Sequence, residues 1–418
     1  MPLGFGKKKK KDRSQASDPD YGHHGPAGHD GGHGHPHGGS SSQDRAHAQG
    51  GHRHVLHDQP ARLPKGSVDP VPGGAHKYAP SLSVKGFDVG GLPVNVFGLD
   101  ELSPVLSRST ATRPPEVVCI FHLHGRGGSA KNEEHIVRQL YHSLSNHRNL
   151  HQGRAAKSSS GRARQAKNGR RGDAEVSHSM AEQPQGEREF VIVSFDARNH
   201  GHRFTSELGQ KSWKDQNPEH AKDLYAMVHG TARDVSFLID FLPAYIFPHD
   251  ERTVASWTCT GKSLGGHSVW AILASEPRIR VGVPFIGCAD FQKLLQDRAR
   301  INFVTYGPPA VPHTLQALIK SIDPAANPHY GSFDARLNPF WGKKICVCLG
   351  QMDKLVKASY SEEFLGNLVV GEPDQDPRTA GTGFSGLKIF VQENTGHTVT
   401  ELMVDVAGEW IYRWAIQC

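Results

Sequence analysis

No apolar run in this chain of 418 residues reaches the roughly 18 residues that a membrane-crossing helix needs, so no transmembrane segment is expected. The first residues lead into five consecutive lysines, Lys7 to Lys11, and then polar chain without an apolar core, so no signal peptide is expected either. Met1-Pro2 lacks the second-position glycine of a myristoylation signal. Cysteine is scarce at six residues, and five of them, Cys119, Cys259, Cys288, Cys346 and Cys348, fall in apolar, strand-like runs. Cysteines so placed behave as small buried hydrophobes rather than as a secreted disulfide framework. Cys346 and Cys348 are one residue apart and would point the same way from a strand, which argues against a bridge between them. No other close group of Cys and His suggests zinc. The cytosol is the expected compartment, with nuclear import through the basic segments as the alternative.

Acidic residues are missing from one long stretch. Between Arg148 and Arg171 there are eight Lys or Arg and no acid, so the net charge of +6 sits in segments that look unstructured. That pattern is expected of solvated chain; contact with an anionic surface is the alternative. The stretch also lacks aromatic residues for base stacking, so no specific nucleic-acid partner is expected. Residues 1–78 are rich in Gly, His, Ser and Pro, with ten histidines from His23 to His57. Such chain buries too little apolar surface to offset its ordering entropy, and we expect it to be a disordered tail. Weak metal binding is the alternative for a His-rich tract. Removing residues 1–78 is expected to leave activity within about threefold, because such a tail contributes little to a core.

What remains, residues 79–418, alternates strand-like and helix-like segments. Ser81–Val89 and Leu92–Gly98 read as two strands joined by a glycine turn. Buried strands are expected at Glu116–Phe121, Phe190–Phe195, Thr253–Thr258, Arg280–Ile286, Lys344–Leu349 and Leu387–Val391. Helices are expected at Lys131–Ser145, His220–Ile246, Leu264–Ala274, Leu315–Ile322, Ser361–Leu368 and Thr400–Ile416. Residues 146–188 carry no periodicity and read as a disordered basic insert. Continuously apolar strands alternating with helices imply a mostly parallel α/β sheet covered on both faces, with the opening pair as its antiparallel edge. No internal repeat interrupts that pattern.

The sharpest local signal is Gly261-Lys262-Ser263-Leu264-Gly265, set between the apolar run from Thr253 and the helix-like run from Leu264. A serine hydroxyl attacks only if it stands clear of the sheet, and the turn that lifts it leaves no room for side chains two residues before and after. The competing reading is a serine that merely caps a helix. A serine nucleophile needs a base, the base an orienting acid, and the oxyanion donors. On a parallel sheet these gather after the strand ends. Asp353 follows the strand Lys344–Leu349 and is the candidate acid; Asp290, after Arg280–Ile286, is its competitor. His397 follows the last strand and is the candidate base, one of 27 histidines singled out only by position. His267, inside the helix after the serine, is expected to be structural. The loop His122-Leu-His-Gly-Arg-Gly-Gly128 offers the amide of Arg126, and Leu264 offers its own, as oxyanion donors. A phosphate cradle is disfavoured because this loop has neither dinucleotide-binding nor P-loop spacing.

In these motifs the chain resembles the α/β-hydrolase superfamily over residues 81–418, apart from the basic insert. The resemblance rests on His124-Gly125, on Asp196-Ala-Arg-Asn-His-Gly201, on the Ser263 pentapeptide and on the Asp353 and His397 positions. It implies a serine hydrolase, with Ser263, His397 and Asp353 as catalytic residues and no metal or organic cofactor. It also implies that the Asp196 loop supports the site without bond chemistry. Asn199 departs from the usual glycine there, and Lys262 is less usual before the nucleophile; its cation either favours negative charge in the site or points outward. A cysteine nucleophile, as in relatives that open dienelactones, is not matched by Ser263. The low-complexity segments fit a fungal-type source. Residues 291–340 are expected to cap the site, with Phe303, Tyr306 and Tyr330 either lining an acyl pocket or packing the cap itself. The substrate is expected to be a small-molecule ester or thioester. The alternatives are an oligopeptide-cleaving peptidase, whose usual large extra domain is not visible here, and an idle scaffold serving as an interaction module.

Overall fold

The computed structural model describes residues 82–105, 113–166, 187–373 and 383–417. The His-rich tail expected over 1–78 lies outside them, as does 167–186 of the expected insert. The chain opens with a hairpin, β1 (Val84–Val89) and β2 (Leu92–Phe97), turning at Gly90-Gly91. Six further strands follow: β3 (Glu116–Leu123), β4 (Glu189–Phe195), β5 (Thr253–Lys262), β6 (Ile279–Phe285), β7 (Lys344–Gly350) and β8 (Leu387–Gln392). They form one sheet in the order β1-β2-β4-β3-β5-β6-β7-β8. β2 runs antiparallel to β4, and every pair from β4 to β8 is parallel.

Alternation along the strands builds two cores. Val117, Cys119 and Phe121 of β3 face one side, while Val118 and Ile120 face the other. The first side packs against α2 (His220–Ile246), α3 (Leu264–Ser275) and α4 (Phe291–Ile301). The second packs against α1 (Glu134–Ala166) and α7 (Glu401–Ile411). Two further helices, α5 (His313–Ile322) and α6 (Glu362–Asn367), lie in the connections on either side of β7. Five cysteines are free and buried. No helix among the described residues is long and apolar enough to cross a membrane.

Three local expectations need correcting. α1 does not stop at Ser145; it runs on to Ala166, into the stretch expected to be structureless. That stretch has no apolar stripe to reveal it, and Gly153, Gly161 and the serines 158–160 weaken the helical signal, but it has four Arg, four Ala and no proline to force a stop. α4 was not anticipated, although Phe291, Leu294, Leu295 and Ala299 are buried at helical spacing. β5 extends past Thr258 to Lys262, paired with β3 and β6 to its last residues, which carries Ser263 to the very end of the strand.

Candidate active site

Ser263 sits where β5 turns into α3, with φ 54° and ψ −107°. Positive φ is costly for a residue with a Cβ, so the surrounding structure must hold it there. It does so through backbone contacts: the Ser263 amide donates to the Phe285 carbonyl at the end of β6 (2.9 Å) and the Gly265 amide to the His124 carbonyl (3.1 Å). A Cβ on Gly265 would lie 2.2 Å from the Leu123 carbonyl oxygen, and one on Gly261 would lie 2.6 Å from the backbone of Gly265. The glycines are therefore required by space. The Ser263 hydroxyl makes no helix-capping bond. It lies 2.8 Å from His397 Nε2 instead.

His397 Nδ1 lies 2.7 Å from Asp353 Oδ2. The other oxygen of Asp353 accepts from the amides of Leu355 and Val356, both at 2.9 Å. Burial alone would raise the Asp353 pKa, but its bonds to His397 and these amides outweigh that and hold it below the ordinary carboxylate value. An ionised Asp353 accepts a proton-bearing Nδ1, which leaves the lone pair of Nε2 toward Ser263. Asp353 is buried, while Ser263 and His397 are half-buried. The loops that carry them touch: the Met352 amide donates to the Thr395 carbonyl at 2.8 Å. Asp290, the competing acid, does none of this. It caps α4, accepting from the Lys293 amide at 2.7 Å.

The β3 loop lies beside the turn. Its amides are mostly occupied: Gly125 donates to Glu133 Oε1 (3.1 Å), Gly127 to His200 Nε2 (3.0 Å) and Gly128 to the Gly125 carbonyl (3.1 Å). The amides of Arg126 and Leu264 have no acceptor among the described residues. Sequence reasoning missed Glu133, which lies buried at the foot of this loop. Its Oε1 also takes Lys262 Nζ at 3.0 Å, so the unusual lysine neither points outward nor adds uncompensated charge. Burial would raise the Glu133 pKa, but His122, Lys262 and the Gly125 amide hold it down at about 2. Glu133 falls in a helical turn just before α1, with no spacing relation to the serine motif to reveal it.

The Asp196 loop scaffolds this region. Asp196 accepts from the amides of Ala130 and His202, both at 2.8 Å. Asn199 takes φ 59°, which asparagine tolerates better than most residues, and its side-chain oxygen accepts from the Thr205 and Ser206 amides (2.9 and 2.7 Å). His124 Nε2 accepts from the Ala197 amide (2.9 Å), and His267 Nδ1 from the Cys288 amide (2.9 Å). An imidazole nitrogen that accepts an amide proton is unprotonated, so these rings and His200 are neutral.

A pH dependence follows. Burial, foremost, lowers the pKa of His200 from 6.5 to about 4 and those of His220 and His267 from 6.5 to about 3. Below pH 6.5 the unfolded chain binds protons that these folded sites refuse, so stability is lost as the pH falls from 6.5 toward 4. Asp323 and Asp290, whose pKa values burial raises, work in the opposite sense, but burial lowers His124 and His229 as well, so the histidines outnumber them. We expect a loss on the order of several kcal/mol between pH 7 and 4.5. Urea midpoints across that range check it, and a flat or rising midpoint contradicts it.

Of the aromatics expected to line a pocket, Phe303 is 99% exposed and lines nothing. Tyr306 and Tyr330 pack against the core, Tyr330 against the Phe364 ring at 4.7 Å between centroids. Among the described residues no group of three His, Cys, Asp or Glu is placed to hold a metal ion. The His23–His57 tract lies outside the described residues.

No protein-family model and no curated protein sequence matches the chain. Solved structures do. TT1662 from Thermus thermophilus is 16% identical, with a TM-score of 0.46, covering 80% of this chain and 98% of that one. Est1E from Butyrivibrio proteoclasticus, solved with ferulic acid bound, is 14% identical, with a TM-score of 0.41, covering 79% and 98%. The Pyrococcus furiosus esterase Pf2001 is 14% identical, with a TM-score of 0.38, covering 80% and 92%. The expected fungal-type source finds no support among them. At such identities likeness speaks to fold alone, and the fold rests on the chain's own sheet: an antiparallel second strand, six parallel strands, and a serine turn after the fifth. This chain has the α/β-hydrolase fold.

Proposed function

We infer that this protein is a serine hydrolase that cleaves carboxylic ester or thioester bonds through an acyl-enzyme. The observation that carries the reading is the unbroken hydrogen-bonded chain from Ser263 Oγ to His397 (2.8 Å) and on to Asp353 (2.7 Å). His397 takes the Ser263 proton as the hydroxyl attacks the substrate carbonyl, and Asp353 stabilises the resulting imidazolium. The free amides of Arg126 and Leu264 receive the oxyanion, each worth about 2.7–4 kcal/mol of barrier. His397 then gives its proton to the leaving alcohol or thiol. Water, deprotonated by the same imidazole, releases the acid and restores the serine. No metal or organic cofactor takes part in these steps. We place residues 291–340 as a cap, supported by their position between β6 and β7. A cytosolic setting is supported by the five free thiols.

Labelling by a fluorophosphonate probe tests the reading. The folded wild type is expected to label, and Ser263→Ala and His397→Ala to remain unlabelled. An ester, thioester and peptide panel then separates the substrate classes. Folded wild type that does not label overturns the hydrolase reading and leaves the idle scaffold.

A further inference from the structure

The two candidate oxyanion donors come from separate elements, the Arg126 amide from the loop after β3 and the Leu264 amide from the start of α3. One buried oxygen joins those elements. Glu133 Oε1 accepts from the amide of Gly125, the residue before Arg126, at 3.1 Å, and lies 3.0 Å from Nζ of Lys262, two residues before Leu264. A Cβ on Gly125 would stand 3.4 Å from this oxygen and one on Gly128 3.7 Å, so the loop lies directly against the carboxylate.

The other side of the carboxylate faces the two strands that deliver these elements. Glu133 Oε2 lies 3.5 Å from His122 Nε2, and His122 Nδ1 lies 2.9 Å from the Thr260 hydroxyl. His122 on β3 and Thr260 on β5 are register partners, and both are buried, as is Glu133. At 3.5 Å the imidazole is in loose contact with Oε2, and neither atom has a hydrogen-bond partner among the described residues, so the tie runs through Oε1. A buried carboxylate is a hazard in this place. Arg126 is one peptide unit from the amide it binds, and in a medium of low dielectric an uncompensated negative charge there would oppose an oxyanion. Lys262 supplies the compensation, which gives a physical reason for a lysine directly before the serine.

We propose that Glu133 is a positioning residue for the reaction at Ser263: its carboxylate ties the β3 loop to Lys262 and so fixes the spacing of the Arg126 and Leu264 amides, while Lys262 cancels its charge beside the forming oxyanion. This rests on the hydrolase reading of Ser263. Glu133 acts through the two amides and not on the substrate. Donors aimed at a charge that develops only in the transition state govern kcat, so the loss of the tie is read there and not in KM.

The second-order rate of fluorophosphonate labelling tests the proposal, because the oxygen that gains charge during phosphonylation meets the same two amides whatever the natural substrate is. Glu133→Leu leaves no acceptor and is expected to label about a hundredfold more slowly than wild type, with the same factor lost from kcat on the ester the panel identifies and KM held within about threefold. Glu133→Gln keeps an oxygen for the Gly125 amide and Lys262, and is expected to recover about tenfold of that loss. Lys262→Met leaves the carboxylate uncompensated and is expected to label about tenfold more slowly, and adding Glu133→Gln to it to restore about threefold. A folded Glu133→Leu that labels at the wild-type rate overturns the proposal and spares the hydrolase reading. So does a loss confined to KM, or a Glu133→Gln no faster than Glu133→Leu. Where Glu133→Leu does not fold, the Lys262 variants decide: a single variant that labels at the wild-type rate, or a double variant no faster than the single, overturns the proposal. Folded wild type that does not label overturns the hydrolase reading, and the role of Glu133 falls with it.

Discussion

Alanine at Ser263 or at His397 is expected to lower kcat by about a millionfold, asparagine at Asp353 by about ten-thousandfold, and the double alanine variant no further than either single one. In the proposed mechanism the three side chains act as a unit, so once the proton transfer is broken a second break removes nothing. The smaller Asp353 effect has a specific cause. One carboxylate oxygen already accepts the amides of Leu355 and Val356 (2.9 Å each). An asparagine would keep its carbonyl oxygen on those amides and turn its NH2 toward His397 Nδ1. Nδ1 would then have to accept, Nε2 would carry the proton, and the imidazole facing Ser263 would be the wrong tautomer for a base. Steady-state kinetics on whichever ester the panel identifies, with circular dichroism as a folding control, measures this. Asp353→Asn retaining kcat within tenfold of wild type would mean that Asp353 does not orient the histidine.

How much of this was legible beforehand depends on the range of the interaction. The strand-turn-helix around Ser263 was readable because apolar run, glycine spacing and serine are contiguous. Asp353 and His397 were readable because parallel strands deliver their following loops to one edge, so strand order alone limits the candidates. Glu133 was not readable: its role comes from Lys262 Nζ and the Gly125 amide meeting at one buried oxygen, contacts that no local pattern encodes. The far half of α1 was missed for a different reason, since the amphipathic stripe that marks a helix is the mark of a buried face, and residues 146–166 have no such stripe. Phe303 failed in the opposite direction. Being aromatic made it a lining candidate, but it follows α4 at φ 55° with its ring in solvent.

Two glycine-to-alanine changes should move stability in opposite directions. Gly265→Ala is expected to cost more than about 4 kcal/mol, or to prevent soluble accumulation, whereas Gly366→Ala is expected to add about 0.5–1 kcal/mol. At Gly265 the new methyl would stand 2.2 Å from the Leu123 carbonyl oxygen and 2.6 Å from its carbon, both backbone atoms of a strand paired on both sides. That strand cannot yield without breaking its ladders, and α3 cannot yield without releasing the Gly265 amide from the His124 carbonyl. Relief would therefore move the serine turn itself, so fluorophosphonate labelling should disappear along with stability. Gly366 lies in α6 with nothing within 4 Å of the added methyl, so there the substitution only removes backbone freedom from the unfolded chain. Urea midpoints of the two variants beside wild type provide the measurement. If Gly265→Ala remains within 1 kcal/mol of wild type and still labels, the serine turn is not held by the close approach of β3, and the strain at Ser263 must be maintained by the Phe285 and His397 contacts alone.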